Sequence, residues 1–303
     1  MTITPLIFDR TAPEAFQFGA LEWRGGIEIR STDAAFGGIS GIRTHNQGNN
    51  LLAITDVGQW ISADIHYRNG RLVAIDNVFM APILGAPGER LSGKYQTDAE
   101  GMGFGINGDI LIAFERRHRI ARYDVASDHW RARASYIPVP DEIENLFDNK
   151  GIEAIGQFAD ETISGSPVIA IAERFLDQDG NHTGWLLGPG APVKLIFARI
   201  DAFDITALTI LPDGRLIILE RSFSFLFGPA MRLRLVEPTE LRAGRLITGR
   251  ELLRAENREA IDNMEGLANH LSASGETILT LVSDNNFNDF QRTLILQFAL
   301  PQR

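Results

Sequence analysis

The chain of 303 residues has no cysteine, so disulfides and thiolate metal sites are closed to it. It has no run of about eighteen apolar residues, and nothing in it reads as a membrane-spanning helix. Met1 to Arg10 lack a basic stretch followed by an apolar one, so no signal peptide is expected in this sequence. Neither G-x-S-x-G nor H-E-x-x-H occurs, which removes the usual serine-hydrolase and zinc-peptidase routes. Positive charge is in deficit, 29 basic against 39 acidic residues. A formal charge of −10 argues against a nucleic-acid or anionic-membrane surface and suits a protein that gathers cations. No helical pattern separates the apolar segments, which excludes a doubly wound sheet.

What is present is a fivefold repeat. A short apolar segment carries one oxygen-bearing residue, and an acidic residue follows 14 to 20 positions later. The first column reads Ser40, Glu100, Glu153, Thr206 and Glu265; the second reads Asp56, Glu115, Glu173, Glu220 and Asp284. Successive first-column residues are 60, 53, 53 and 59 positions apart, a period typical of arrays, solenoids and propellers. The segments within each unit, such as Ile110 to Phe114 and Leu216 to Leu219, are short, apolar and bounded by turn signals such as Asn107-Gly108-Asp109 and Pro212-Asp213-Gly214. Together these predict an all-β fold, a β-propeller of five blades with antiparallel strands around a central channel. A sixth, degenerate blade is the alternative. With 44% hydrophobic residues the chain can bury a large core, and the repeat spans almost all of it, which argues for one domain over residues 1–303. Gln17 to Arg30 is expected to complete the last blade beside Thr293 to Phe298, closing the ring. Glu142 to Asn149 and Arg250 to Ile261 read as short helical excursions over the rim.

In such a ring the start of the innermost strand and the end of the next lie at the same end of the channel. The first column then forms a ring of hard oxygens, three carboxylates and two hydroxyls, with no imidazole or thiol. Like charges so placed raise one another's pKa or recruit a cation. Ser40, Glu100, Glu153, Thr206 and Glu265 are therefore the expected metal ligands, for Ca²⁺ in preference to Mg²⁺. The plainer reading has these residues capping strands and bonding backbone across the channel. The second column offers Asp56, Glu115, Glu173, Glu220 and Asp284 as catalytic carboxylates. Three of them begin a Glu-Arg dipeptide. Arg116, Arg174 and Arg221, joined by Lys150, Arg292 and Arg43, could hold a small anionic substrate such as a phosphate, or could form structural ion pairs between blades. Among six histidines His118, beside Glu115 and Arg116, is the one placed to act as a base. Gly103 to Gly108 matches G-x-G-x-x-G but sits in a hairpin and is set aside. Asp177 to Asn181 lacks the flanking helices of a calcium loop and reads as a tight turn.

At these residues the chain resembles the phytase-like family ("esterase-like activity of phytase"). The resemblance runs from about Phe36 to Phe298, on Gly37-Gly38-Ile39-Ser40-Gly41, Asp98-Ala99-Glu100-Gly101, Asn149-Lys150-Gly151-Ile152-Glu153-Ala154, the Glu-Arg dipeptides, Asn263-Met264-Glu265-Gly266 and Ser283-Asp284-Asn285-Asn286-Phe287. It implies a bacterial hydrolase of a family that is often exported, hence periplasmic or secreted, with a cytoplasmic place as the alternative. The site is also similar, more distantly, to that of calcium-activated nucleotidases of the apyrase type. Those are five-bladed propellers whose axial calcium is held by serine and glutamate in the order that Ser40, Glu100, Glu153, Thr206 and Glu265 repeat, threonine taking the fourth place. The expectation is a calcium-dependent hydrolase of a phosphate ester or anhydride, with Asp56 or Glu115 accepting a proton. A non-catalytic binding propeller with a structural calcium is the competing reading, and a metal-dependent carboxyl-ester or lactone hydrolase is a third.

Overall fold

The computed structural model describes residues 1–146, 150–159, 162–163 and 165–301. Apolar segments separated by left-handed turn residues, Gly108 and Gly214 among them, fold back as antiparallel hairpins. The result is an all-β propeller. The first unit is formed by Ile39–His45, Asn50–Thr55, Gln59–Arg68 and Arg71–Pro82; the second by Ala99–Phe104, Ile110–Phe114, Arg119–Tyr123 and Ser135–Ile137. Ile152–Gln157, Val168–Leu176, His182–Leu187 and Val193–Phe197 make the third, and Asp204–Ile210, Leu216–Ser224, Gly228–Val236 and Arg250–Ala255 the fourth. In the last, Met264–Leu271, Thr277–Ser283 and Thr293–Leu300 are followed outward by the N-terminal strand Leu21–Arg30, which pairs antiparallel to Thr293–Leu300. A parallel pairing at Gly25 and Leu72 joins this sheet to the first unit's, so the two form one ten-stranded sheet. The first strands of the units pack against one another in a closed cycle, each touching the next and the last touching the first.

Every unit carries the same irregularity. The register between first and second strand slips by one residue at Ser40, Glu100, Glu153, Thr206 and Glu265. A β-bulge leaves its extra residue outside the ladder and re-aims the side chain, so the first column is a column of bulged residues. The next residue is small each time: Gly41, Gly101, Ala154, Ala207 and Gly266. Adjacent strands approach closely there. A Cβ on Gly101 would lie 2.5 Å from the Glu153 carbonyl oxygen, and one on Gly41 would lie 2.5 Å from Met102 Cβ.

One expected helical excursion is a strand. Arg250–Ala255 is the outer strand of the fourth unit, paired with Met231 to Leu235, and it buries Leu252 and Leu253. Pairing satisfies its backbone against an otherwise open sheet edge, which overrides its helical composition. At the other, a single helical turn spans Asp141–Glu144; residues 147–149 of that expected excursion lie outside the described residues.

Candidate functional site

The bulges fix which second-strand residue meets the channel. In four units the second-column residue donates its backbone N–H to the carbonyl two positions before the bulge. The pairs are Asp56 to Gly38 (2.9 Å), Glu115 to Asp98 (2.8 Å), Glu173 to Gly151 (3.0 Å) and Asp284 to Asn263 (2.9 Å). In the fourth unit the residue opposite that position, Asp204, is Arg221; Glu220 lies opposite Ile205. Neighbouring residues on a strand point to opposite faces. The fourth member of the second ring is therefore a guanidinium, and Glu220 does not join the other carboxylates. It is fully buried between Arg232 (2.7 Å) and Arg234 (2.5 Å), whose remaining N–H groups bond the carbonyls of Ile200, Ala198 and Thr248. The sequence alignment of this unit is thus corrected by one residue.

Arg221 Nη1 lies 3.1 Å from Glu265 Oε1 and Nη2 lies 3.3 Å from Glu173 Oε1, and it also donates to Asn263. The charge of Glu153 acts on it too, and these carboxylates hold its proton well above the usual guanidinium range even though burial opposes this. On the other side Asp98, Glu100 and Glu115 each offer an oxygen within 4.8 Å of the others. Asp98 binds Arg116 Nε at 2.7 Å and Lys94 Nζ at 2.6 Å, and Lys94 also reaches Asp56 at 2.6 Å. Among the described residues no Lys or Arg ion-pairs with Glu100, Glu115 or Glu153, and the buried Glu153 Oε2 has no hydrogen-bond partner. Burial is the main cause that raises these acids, with their neighbours' charges adding to it. Glu100 and Glu153 are pushed well up, Glu115 and Glu265 to about 7, and Asp284 to about 6.

The two hydroxyls of the first column act on backbone. Ser40 Oγ donates to the Ala99 carbonyl (2.5 Å) and Thr206 Oγ1 to that of Met264 (3.0 Å), in each case the residue preceding the next unit's bulged glutamate. They lock neighbouring strands, leaving the three glutamates and the second ring as the charged lining. Asp98, Lys94 and Asn263 were not singled out from sequence. The signal was present in a third column two residues before each bulge (Gly38, Asp98, Gly151, Asp204, Asn263), polar in three of its five places.

A cavity of about 1160 Å³ opens at this end, lined by Glu173 and Arg221 from the ring, by Arg174 and Arg292, and at its rim by Phe223 and Phe290. Arg174 holds Asp204 through Nε (2.8 Å) and Nη2 (2.6 Å), and Asp204 is also held by Arg199 (2.9 Å). Arg292 binds Asp262 at 3.2 Å. Arg116 and His118 line a different cavity of about 460 Å³. The buried ring of His118 and the Glu115 side chain crowd Gly151: a Cβ there would meet His118 Nδ1 at 2.8 Å and Glu115 Cγ at 2.9 Å. Lys150 is exposed and lines neither cavity. Arg43 lies deeper in the channel, away from the other guanidiniums.

The sequence profile of the phytase-like family, described as esterase-like activity of phytase, matches residues 34–287. No curated protein matches the chain. Among solved structures, the Dos1 propeller is 13% identical, with 82% of this chain covered, 53% of that one and a TM-score of 0.38. This chain thus spans about half the length of that protein. Virginiamycin B lyase from Staphylococcus aureus is 8% identical over 91% of this chain and 98% of its own, with a TM-score of 0.43. The PQQ-bound aldose sugar dehydrogenase from Streptomyces coelicolor is 12% identical over 90% and 97%, also at 0.43. At these values nothing about activity passes from them to this chain.

Proposed function

Because the chain belongs to the phytase-like family, we propose that it is a five-bladed, calcium-dependent hydrolase acting on a phosphate ester or anhydride at the channel mouth. The blade count takes the ten-stranded sheet as two blades joined at Gly25 and Leu72. The observation that carries the hydrolase reading is the large cavity in which ring residues Glu173 and Arg221 meet Arg174 and Arg292. Carboxylate and guanidinium groups there face one space large enough for a small anionic ester.

The residues fit a hard divalent cation. Asp98, Glu100 and Glu115 would hold it, with the unpartnered Glu153 Oε2 available from the next unit. Bound there, the ion would supply positive charge to an oxygen that becomes negative as the ester bond breaks. Arg174 and Arg292 would orient the anion from the cavity wall through the N–H groups that Asp204, Asp262 and the Ile261 carbonyl leave free. Arg221 would hold Glu173 in place and offset its charge. Glu173, raised by burial and lining the cavity, would take the proton of an attacking water. Asp56 is committed to Lys94 and positions that side chain rather than moving protons. Export to the periplasm or medium belongs to the same proposal, on family grounds alone.

The test couples thermal unfolding to phosphate release from nucleotides and p-nitrophenyl phosphate, after chelation and with Ca²⁺ or Mg²⁺ restored. Stability and turnover should rise together with Ca²⁺. Arg174→Ala should lower turnover about 100-fold, as loss of one charge-stabilising donor does, while leaving the calcium-induced rise in Tm intact; Arg199 still pairs with Asp204 in that variant. Full turnover in Arg174→Ala would remove its assigned role. A rise in stability with no turnover would favour the non-catalytic binding propeller, and no response to either ion would reduce the ring to a hydrogen-bond network.

A further inference from the structure

Arg43 stands on the innermost strand Ile39–His45, three residues beyond the bulged Ser40 and so roughly 10 Å further along the channel. It is 2% exposed. Its Nη2 donates to the Met102 carbonyl at 2.9 Å and its Nη1 to Thr209 Oγ1 at 3.3 Å, so it reaches from the first unit to the second and the fourth. Its guanidinium lies 4.6 Å from the centroid of the Phe104 ring. Among the described residues no carboxylate ion-pairs with it, and its Nε has no hydrogen-bond partner. Lys94, Arg116, Arg174, Arg221 and Arg292 each pair with a carboxylate; among the described residues Arg43 does not.

A buried charge without a counter-charge is costly, and proteins pair such groups or bind an ion of opposite sign beside them. Arg43 and Thr209 line a cavity of about 220 Å³, together with Phe104, Gln157 and Thr162. That volume is several times the roughly 30 Å³ share of one water molecule. Thr209 accepts from Arg43 and, at 2.6 Å, from Asn269, which leaves its own O–H as a donor. Burial alone lowers the Arg43 guanidinium to about 9, with no carboxylate close enough to offset it.

We propose that this layer of the channel binds a small oxyanion, a phosphate, sulfate or carboxylate, in the cavity against the Arg43 guanidinium and the Thr209 hydroxyl. The N–H groups that Thr209 and Met102 leave free, Nε–H among them, can donate to the oxygens of one anion. This site is separate from the acidic ring and does not depend on the hydrolytic reading. Its anion would complement the deepest positive charge of the channel and tie the first, second and fourth units together.

The experiment is thermal unfolding and calorimetric titration of the full chain with sodium phosphate and sodium sulfate, against sodium chloride at matched ionic strength, in chelator. One site that depends on Arg43 is expected, apart from any phosphate taken up at the Arg174 cavity, with Tm raised above the chloride control. Arg43→Met should weaken oxyanion binding at least about tenfold, the loss of one charge-assisted pair, whereas Arg258→Ala, which removes an exposed guanidinium paired with Glu259, should leave it unchanged. Equal gains in wild type and Arg43→Met would mean general salt stabilisation and overturn the proposal, as would no gain over chloride. Were Arg43→Met not to fold, wild-type crystals grown in selenate decide: an anomalous peak beside Arg43 supports the site, and none there overturns it.

Discussion

Glu220 and Arg221 are neighbours in sequence and serve two buried centres balanced in opposite ways. On one face Glu220 meets two guanidiniums, Arg232 and Arg234, and each of these finds backbone carbonyls for its other N–H groups. With Asp201 3.9 Å from Arg232 as the second acid, charge and hydrogen bonding close there, so that centre asks for no ligand. On the other face Arg221 is one cation among Glu153, Glu173 and Glu265, and Glu100 and Glu115 beyond it have no Lys or Arg in an ion pair among the described residues. Both centres are buried and ionic. What separates a structural network from a binding site is the charge left over.

The largest effect expected is at the closed centre. Glu220→Ala leaves two buried guanidiniums without their carboxylate and should cost about 3–5 kcal/mol in denaturant unfolding, with no change in the Tm gain on adding Ca²⁺. A cost under about 1 kcal/mol would erase the contrast. The open centre should behave differently with pH. Glu115 and Glu265 ionise near 4.5 when unfolded but are raised to about 7 in the fold, so the folded state binds more protons in that window. Their contribution is fully present below about pH 4.5 and is lost as pH rises through about 7, by about 3 kcal/mol for one such group. Buried His270, lowered to about 4, has the opposite sign: it adds stability with rising pH between about 4 and 6.5. Chelated wild type and Glu265→Gln should therefore be compared across pH 4.5 to 8. The variant should lose less stability over that range, and Ca²⁺ should flatten the wild-type curve. Parallel curves would deny the raised pKa. The smallest effect is at the hydroxyls, where Ser40→Ala removes one buried hydrogen bond and should cost about 1 kcal/mol while keeping the calcium response. Loss of that response would return Ser40 to the ligand set.

Much of the ring was legible because strand chemistry repeats. The apolar segments and turn residues marked the hairpins, and the recurring oxygen-bearing residue marked the first column, whose bulges appear only in the structure. Glu100, Glu153 and Glu265 came from that pattern directly. The second ring was legible only up to one residue. Glu115-Arg116, Glu173-Arg174 and Glu220-Arg221 look alike in sequence, but in the first two the glutamate faces the channel and in the third the arginine does. A shift of one position on a strand exchanges faces, and composition carries no mark of it. Asp98 and Lys94 were passed over because, beyond their own local pair, their relevance arises from Asp56, Glu115 and Arg116, all 15 or more residues away.

The amino-acid sequence by itself determined the all-β class, the repeated unit, the five first-column positions and an excess of acid over base. These follow from side-chain pattern and local backbone preference, which act over a few residues. Only the tertiary structure decided which charges meet. It set Arg221 among the glutamates, closed Glu220 between Arg232 and Arg234, and left Arg43 buried in the channel without a carboxylate. Charge balance is a sum over groups far apart in the chain, and it exists only once the strands are packed side by side.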